Sequence, residues 1–161
     1  MADSDPSPDD IPVRERLRTW IRLYRATRGV ENELREYLRI AYDTTLPRFD
    51  VMSALARTGH PISMTELSRM LLVSNGNATT VVARLAKEGL VAKIFSPDDR
   101  RVVKVQLTQE GLAEFDRQEK GHAAVVEDLF DIFDREELEV MRKLLRRLED
   151  RDSWPPHPSR E

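Results

Sequence analysis

The sequence predicts a mainly α-helical protein that carries one small β-hairpin, and three observations support this fold class. Apolar residues recur at spacings of three and four over most of the 161 residues, which is the period of amphipathic helices. Charged residues make up 34% and aromatic residues 6% of the chain, a profile typical of helix-rich proteins. Two runs rich in β-branched residues, 90–95 and 102–107, flank the polar turn SPDDRR and predict the hairpin.

The helices outside the hairpin region are predicted by their apolar stripes and caps. A long helix over 13–42 carries Leu17, Trp20 and Tyr24 at helical spacing, and this stripe is too apolar to face water. Thr108 begins a helix that runs to about residue 130. A second pattern like a capping box, at 134–137, begins the last helix. We therefore expect the first helix to be covered by another surface.

The middle of the chain predicts two short helices joined by a tight turn. Ser63 and Glu66 have the Ser-x-x-Glu spacing of a capping box and begin a helix that ends at the turn 72–74. The next helix opens on Asn-Gly-Asn at 75–77, which are poor helix formers, and stops at Gly89. The hairpin follows directly. Helix, three-residue turn, helix and hairpin is the order of a winged helix-turn-helix core.

The second helix of such a core places its N-terminal residues in a DNA major groove, and the opening sequence suits that position. Ser74 or Asn75 caps the helix, and Gly76 leaves the backbone open to a phosphate or a base edge. Asn, Thr, Arg and Lys side chains on the outer face suit base edges or phosphates. The predicted DNA-binding residues of this helix are Ser74, Asn75, Gly76, Asn77, Thr79, Thr80, Arg84 and Lys87.

The hairpin tip, residues 96–101, supports the same function. An arginine on a narrow finger suits a minor groove, where negative potential is concentrated. Asp99 lies close enough in sequence to hold a guanidinium by a bidentate pair. Chemistry alone does not choose between Arg100 and Arg101 as the finger. The alternatives are a solvated charged turn for the tip, and an ordinary cap with a solvated polar face for the helix.

The charge distribution favours a local nucleic-acid footprint. The chain has a net charge of −3 and a pI of about 5.7, which argues against non-specific coating of nucleic acid. Between residues 62 and 108, however, seven cations and four anions give a net charge of +3. The lack of cysteine excludes disulfides, thiol catalysis and cysteine redox sensing. His60, His122 and His157 show no metal-ligand spacing.

Several other classes of protein are disfavoured by the sequence. No apolar run approaches the ~18–20 residues that a membrane span requires. The acidic, proline-rich start differs from a secretory signal, so we expect a cytoplasmic protein. No nucleophile–base pair, phosphate loop or metal motif is present. We therefore expect neither an enzyme nor a bound cofactor.

The segment LSRMLLVSNGNATTVVARLAKEGLVAKIFSPDDRRVVKVQLTQEG resembles the winged-helix core of the MarR family of bacterial transcription regulators. The family pattern Asp-x-Arg, a short β run and Leu-Thr-x-x-Gly corresponds here to 99–101 and 107–111. The resemblance spans about Val13 to Arg151, and by family analogy Arg101 is the minor-groove finger and Asp99 its partner.

The resemblance also implies a homodimer built from the N-terminal helix and the last two helices. Two recognition helices then reach successive major grooves of a pseudo-palindrome, with half-sites about 34–36 Å apart. The implied segments are a disordered acidic tail over 1–12, an N-terminal dimerisation helix over 13–45, a winged helix-turn-helix DNA-binding domain over 46–108, C-terminal dimerisation helices over 109–151 and a flexible tail over 152–161.

Members of this family usually release DNA when a small, often aromatic and anionic molecule binds between the dimerisation helices and the winged domain. TTLPRFDVMSAL joined to VSNGN resembles a branch associated with catabolism of aromatic acids, some members of which sense acyl-CoA thioesters. The candidate effector residues near that junction, which are otherwise core or interface residues, are Trp20, Tyr24, Arg48, Phe49 and Met52.

The expected function is a dimeric, sequence-specific DNA-binding regulator. We expect a repressor that a small aromatic acid or its CoA thioester releases from the operator. The alternative is a winged-helix protein-interaction module that binds no DNA.

Overall fold

The computed structural model describes residues 11–95 and 103–150. Within them, six helices and one three-stranded antiparallel sheet confirm the predicted fold class. The chain forms two compact units that meet in sequence at Val125, inside α5. The elements are α1 Val13–Tyr42, α2 Leu46–Thr58, β1 Ile62–Ser63, α3 Met64–Leu71, α4 Asn75–Lys87, β2 Val91–Phe95, β3 Val103–Leu107, α5 Gln109–Phe130 and α6 Arg135–Glu149.

Helix α1 is continuous over 30 residues, but it buries side chains only near its C-terminal end. Leu34 and Leu38 are buried, whereas Trp20 is 57% exposed and Tyr24 is 51% exposed. The helix ends at Asp43, whose left-handed backbone lets its amide donate to carbonyl oxygens of the last turn. The apolar stripe predicted for this helix is therefore largely uncovered within its own unit.

Helix α2 provides the centre of the first unit. Thr45 is its extended N-cap residue, and Pro47 follows in the first turn, where a missing amide hydrogen costs nothing. Phe49 and Met52 are buried on its inner face, and the ring of Phe49 packs 5.6 Å from the ring of Phe115 on α5. This packing fixes the first helix of the winged core against α5.

The capping box predicted at the start of α3 is confirmed. The Ser63 hydroxyl oxygen accepts a hydrogen bond from the Glu66 amide at 3.2 Å, and the Glu66 carboxylate accepts one from the Ser63 amide at 2.8 Å. The helix ends at Leu72, which has a left-handed backbone with φ of 55°. The chain turns there and α4 begins three residues later.

The predicted hairpin is confirmed, and it belongs to a sheet with one additional strand. The strand order is β1-β3-β2, and β2 pairs with β3 from Val91 opposite Leu107 to Phe95 opposite Val103. The two-residue strand β1 pairs Ile62 with Val105, which is fully buried. No periodic signal indicates so short a strand, because alternation needs more residues to be visible.

Thr108 joins the hairpin to α5 as predicted. Its hydroxyl accepts a hydrogen bond from the Gly111 amide at 3.0 Å and donates one to the Gly89 carbonyl oxygen at 2.6 Å. A Cβ atom on Gly111 would lie 1.9 Å from the Leu90 carbonyl oxygen, so only glycine fits at this crossing. These contacts anchor the start of α5 to the end of the loop that follows α4.

The second unit contains the end of α5 and all of α6. The capping box predicted at the start of α6 is confirmed. Asp134 accepts a hydrogen bond from the Glu137 amide at 2.8 Å, and Glu137 accepts one from the Asp134 amide at 3.0 Å. No residue of α6 is buried, and Leu144 is 54% exposed and Leu148 50% exposed. An amphipathic helix with its apolar face in water needs a covering surface.

The helical spacing of apolar residues also predicts that Met70 and Leu112 face inward, and the structure contradicts both predictions. Met70 is 41% exposed, because Leu67 is fully buried and, with Leu71 four residues later, occupies the inner face of the short helix α3. Leu112 is 46% exposed, because α5 packs through Gly111 and Phe115, which are also four residues apart.

Candidate nucleic-acid interface

The start of α4 is held by a side-chain cap. Ser74 is the extended N-cap residue, and its hydroxyl oxygen accepts a hydrogen bond from the Asn77 amide at 3.3 Å. Of the two candidate caps, the structure therefore selects Ser74. The first turn contains no acidic residue, so nothing neutralises the positive end of the helix dipole.

Helix α4 divides into two faces. Ala78, Val82 and Leu85 are buried and point into the winged core. The outer face is exposed and carries no acidic side chain before Glu88. All eight predicted DNA-binding residues of this helix and its cap are exposed, namely Ser74, Asn75, Gly76, Asn77, Thr79, Thr80, Arg84 and Lys87.

Two threonines on this face already use their hydroxyl hydrogens. Thr79 donates to the Asn75 carbonyl oxygen at 2.7 Å, and Thr80 donates to the Gly76 carbonyl oxygen at 3.0 Å. In this rotamer each threonine offers a methyl group and an acceptor oxygen, and no donor for a phosphate. The geometry therefore suits thymine methyl groups or base amino groups better than phosphate oxygens.

The first backbone amides of α4 supply the donors that the threonines do not. Within the described residues, the amides of Asn75 and Gly76 donate to no acceptor. A Cβ atom on Gly76 would meet nothing within 4 Å, so no contact inside the described chain requires glycine there. Free amides at a positive helix end without an acidic residue form a ready anion site.

The wing is only partly within the described residues. Its strands β2 and β3 bring Lys93 and Lys104, both exposed, to the base of the hairpin. The predicted tip residues Asp99, Arg100 and Arg101 lie outside the described residues, so the choice of finger stays a prediction.

An apolar cavity of about 350 Å³ adjoins the polar face of α4. It lies between α2 and the turn and helix that follow α3, and Val51, Leu71 and Val81 contribute to its walls. Asn77 and Thr80 stand at its border and also belong to the predicted DNA-binding face. No local sequence pattern indicates this cavity, because its walls come from three separate helical segments.

Asp50 also lines this cavity, and its carboxyl group has an unusual acidity. Partial burial, with the nearby Glu31 carboxylate, raises the pKa of Asp50 to about 6, while Arg57 opposes the rise. Asp50 is nevertheless exposed as a whole residue, so water screens its charge.

A more polar cavity of about 680 Å³ lies at the other end of α4, bordered by Tyr42, Arg48, Glu88, Glu114 and Arg117. Arg48 and Glu88 form a bidentate ion pair across it, with a distance of 2.7 Å from Nη1 to Oε1 and a second contact from Nη2 to Oε2. Their hydrogen bonds hold the pKa of Glu88 below and that of Arg48 above the ordinary range. The pair links the start of α2 to the C-cap residue of α4.

The five predicted effector residues have three different environments. Phe49 and Met52 are 4% and 1% exposed and belong to the core, where Phe49 also stacks on His122 at 4.3 Å. Trp20 and Tyr24 form an exposed aromatic pair on α1, with ring centroids 5.8 Å apart. Arg48 is the one of the five that lines the polar cavity.

Two other kinds of feature are absent from the described residues. No group of three or more His, Cys, Asp or Glu side chains is arranged to hold a metal ion in that part of the chain. Within the same ranges, no helix is both long and apolar enough to cross a bilayer.

The winged core and the polar face of α4 define a helix-turn-helix DNA-binding regulator. A family model described as the MarR family matches residues 42–102. The chain is 33% identical over 110 residues to the transcriptional regulator PecS of Dickeya dadantii. The aligned region covers 67% of this chain and 66% of PecS. The chain is also 26% identical over 132 residues to the transcriptional regulator MhqR of Bacillus subtilis. That aligned region covers 82% of this chain and 90% of MhqR.

The structural comparison shows the same fold. A mutant MarR from E. coli complexed with operator DNA matches with a TM-score of 0.74 and 24% identity, over 86% of this chain and 99% of that chain. The chain belongs to the MarR family of transcriptional regulators, which are DNA-binding proteins and not enzymes.

Proposed function

We propose that this chain is a dimeric repressor that reads a pseudo-palindromic operator with α4. The observation that carries the proposal is the division of α4 into a buried apolar face and an exposed face without acids in its first three turns. Asn77 suits an adenine edge, and the methyl groups of Thr79 and Thr80 suit thymine. The operator complex of the related E. coli protein supports DNA as the partner.

The contacts with phosphate would come from both ends of the same helix. The free amides of Asn75 and Gly76 sit at its positive end. Arg84 and Lys87 lie about 13–18 Å further along the axis, at 1.5 Å per residue, and suit the backbone of the same groove. The predicted wing finger, Arg101 or Arg100 beside Asp99, would add a minor-groove contact.

The homodimer is supported by apolar surface that each unit leaves uncovered. On α1, Leu17 and Trp20 are 54% and 57% exposed, and on α6, Val140 and Leu144 are 57% and 54% exposed. Exposed apolar rows of this kind mark interaction surfaces. A two-fold pairing of identical chains would bury these apolar rows on both protomers. It would also place two copies of α4 on one operator.

The effector class we propose is a small aromatic acid or its CoA thioester. The polar cavity at the end of α4 supports this class, because Arg48 and Arg117 line it and would exchange their partners Glu88 and Glu114 for a carboxylate or phosphate of the ligand. An acid bound there would compete with Glu88 for Arg48 and so would loosen the end of α4. A thermal-shift screen should therefore give a higher melting temperature with ligands selective for the native state, and an Arg48→Gln chain should lose that response.

Titration of labelled promoter DNA by fluorescence anisotropy tests the DNA-binding proposal. A regulator should lose affinity linearly on a log–log salt plot, with a slope of about −0.9 per phosphate contacted. No salt dependence and no preference for the promoter would instead favour a winged-helix protein-interaction module.

Two variants separate base contacts from phosphate contacts. Asn77→Ala should cost about 1–3 kcal/mol of discrimination between operator and random DNA, if Asn77 reads a base. Lys87→Ala should weaken binding to both DNAs equally and reduce the salt slope by about 1. Equal losses on both DNAs for Asn77→Ala would make Asn77 a phosphate contact.

A further inference from the structure

The N-terminal half of α1 lacks the usual sources of helix stability. From Val13 to Arg28 no side chain is buried. The N-cap residue Pro12 provides no side-chain hydrogen bond. Arg14 and Arg16 lie near the positive end of the helix dipole, where cations are unfavourable, and Glu15 is the one acidic residue of that turn. This half therefore depends on a partner that the described residues of the single chain do not supply.

Four arginines make the need more specific. Arg14, Arg18, Arg22 and Arg25 are spaced by four, four and three residues, so they lie within about 80° of one another around the helix. None of them forms an ion pair with a described residue. Like charges at this spacing repel one another. We call this row the arginine ridge.

An apolar row runs beside the arginine ridge. Leu17, Trp20, Ile21 and Tyr24 are each at least half exposed, at 54%, 57%, 50% and 51%. The surface that covers this half of α1 must therefore be apolar and anionic at once.

The chain contains one segment with those properties. Residues 127–139, which we call the acidic corner, hold seven acidic residues and one arginine, a net charge of −6. The segment joins α5 to α6, and within the described residues Glu127, Asp128 and Asp131 have no ion pair. Apolar side chains accompany the acids, because Ile132 is 77% exposed and Val140 is 57% exposed.

We propose that the arginine ridge of one protomer docks on the acidic corner of a second copy of this chain. The proposal rests on the homodimer proposed above and specifies how its two chains recognise each other. Residues 13–30 carry a net charge of +5, which complements the −6 of the acidic corner. A two-fold axis repeats the contact, so each dimer contains it twice.

Charge reversal tests the pairing in solution. Arg18→Glu with Arg22→Glu reverses part of the ridge, and Asp128→Lys with Asp131→Lys reverses part of the corner. Each double variant should raise the dimer dissociation constant about tenfold or more in sedimentation equilibrium at low salt, and the effect should shrink as salt screens the charges. Arg57→Glu with Arg69→Glu makes the same change of net charge as the ridge variant, but on exposed residues of the winged core. It should leave the dimer dissociation constant unchanged.

Mixing the two reversed chains gives the decisive measurement. In the heterodimer both ridge–corner contacts join opposite charges, so an equimolar mixture should recover a dissociation constant within about threefold of wild type, well under one tenfold step of 1.4 kcal/mol. A contact within one chain would not be restored by mixing. If the reversed chains lose helix content by circular dichroism, the milder variants Arg22→Gln and Asp131→Asn should each weaken the dimer about threefold, as expected for removal of one charge.

Four results would overturn the proposal. Reversed chains that dimerise like wild type, or a mixture that stays monomeric, would reject the ridge–corner contact while leaving the homodimer intact. If removal of the acidic residues 1–10 weakens the dimer as much as the ridge variant does, the arginine ridge binds that tail and not the acidic corner. A wild-type chain that is monomeric at every concentration would reject the homodimer itself.

Discussion

Replacing Gly76 with alanine should separate the stability of the fold from the affinity for DNA. The new Cβ atom would meet nothing within 4 Å, and Gly76 already has a helical backbone without positive φ. Glycine in a helix costs about 0.5–1 kcal/mol relative to alanine, and less near an end, so we expect a gain of about 0.5 kcal/mol. For a chain of this size that gain raises the melting temperature by about 1–2 °C.

The same methyl group should weaken DNA binding if α4 enters the groove as proposed. It would stand beside the free amides of the first turn and hold a phosphate or base edge away from them. Loss of one hydrogen bond to a charged group is worth about 1.5–3 kcal/mol, which is roughly ten- to 150-fold in affinity. Operator titration by anisotropy and thermal unfolding of the same preparation measure both effects.

Gly29→Ala is the matched control for this experiment. Gly29 is also helical, and its added Cβ would likewise meet nothing within 4 Å, but it lies on α1. This variant should gain stability and keep its affinity for DNA. A Gly76→Ala chain that is more stable and binds the operator as tightly as wild type would refute the close approach of DNA at this position.

Three further predictions concern other parts of the chain. Arg48→Gln and Glu88→Gln should show a coupling of about 0.5–1 kcal/mol in a double-mutant cycle of urea unfolding, and additive losses would mean that the pair contributes nothing. Asp50→Asn should raise the melting temperature at about pH 7.5 and not near pH 4. Burial raises the pKa of Asp50 to about 6, so the charged carboxylate present above that pH disfavours the folded state. Equal effects at both pH values would contradict this. Arg101→Ala and Arg100→Ala should both leave the fold intact, and the finger is the one whose loss weakens operator binding more; two negligible losses would reject the finger.

Local signals in the sequence predicted most of the elements. The capping boxes at Ser63 and Asp134 lie within four residues of the amides they satisfy, so the amino-acid pattern alone identifies the helix starts. The hairpin was visible because β-branched residues flank a polar turn. The polar face of α4 was visible because a helix of 13 residues shows its period clearly.

Features that depend on distant parts of the chain were not predictable in the same way. Arg48 and Glu88 are 40 residues apart, and no local pattern pairs them; the sequence suggested Arg48 as an effector residue only. The stacking of His122 on Phe49 also joins two elements far apart in sequence. Apolar spacing wrongly placed Met70 on the inner face of α3. A helix of eight residues is too short for apolar spacing alone to identify its inner face.

The unfavourable start of α4 becomes intelligible when the rest of the helix is considered. Asn, Gly and Asn in the first turn, and no acid to oppose the dipole, make this end intrinsically weak. The helix is stabilised instead by the Ser74 cap, by the buried side chains of Val82 and Leu85, and by the tie from Glu88 to α2. Because these supports leave the amides of Asn75 and Gly76 without an acceptor in the described residues, the first turn remains open to a ligand. A helix under selection for stability alone would place alanine, glutamate or aspartate there, and each of those residues would obstruct or repel a phosphate.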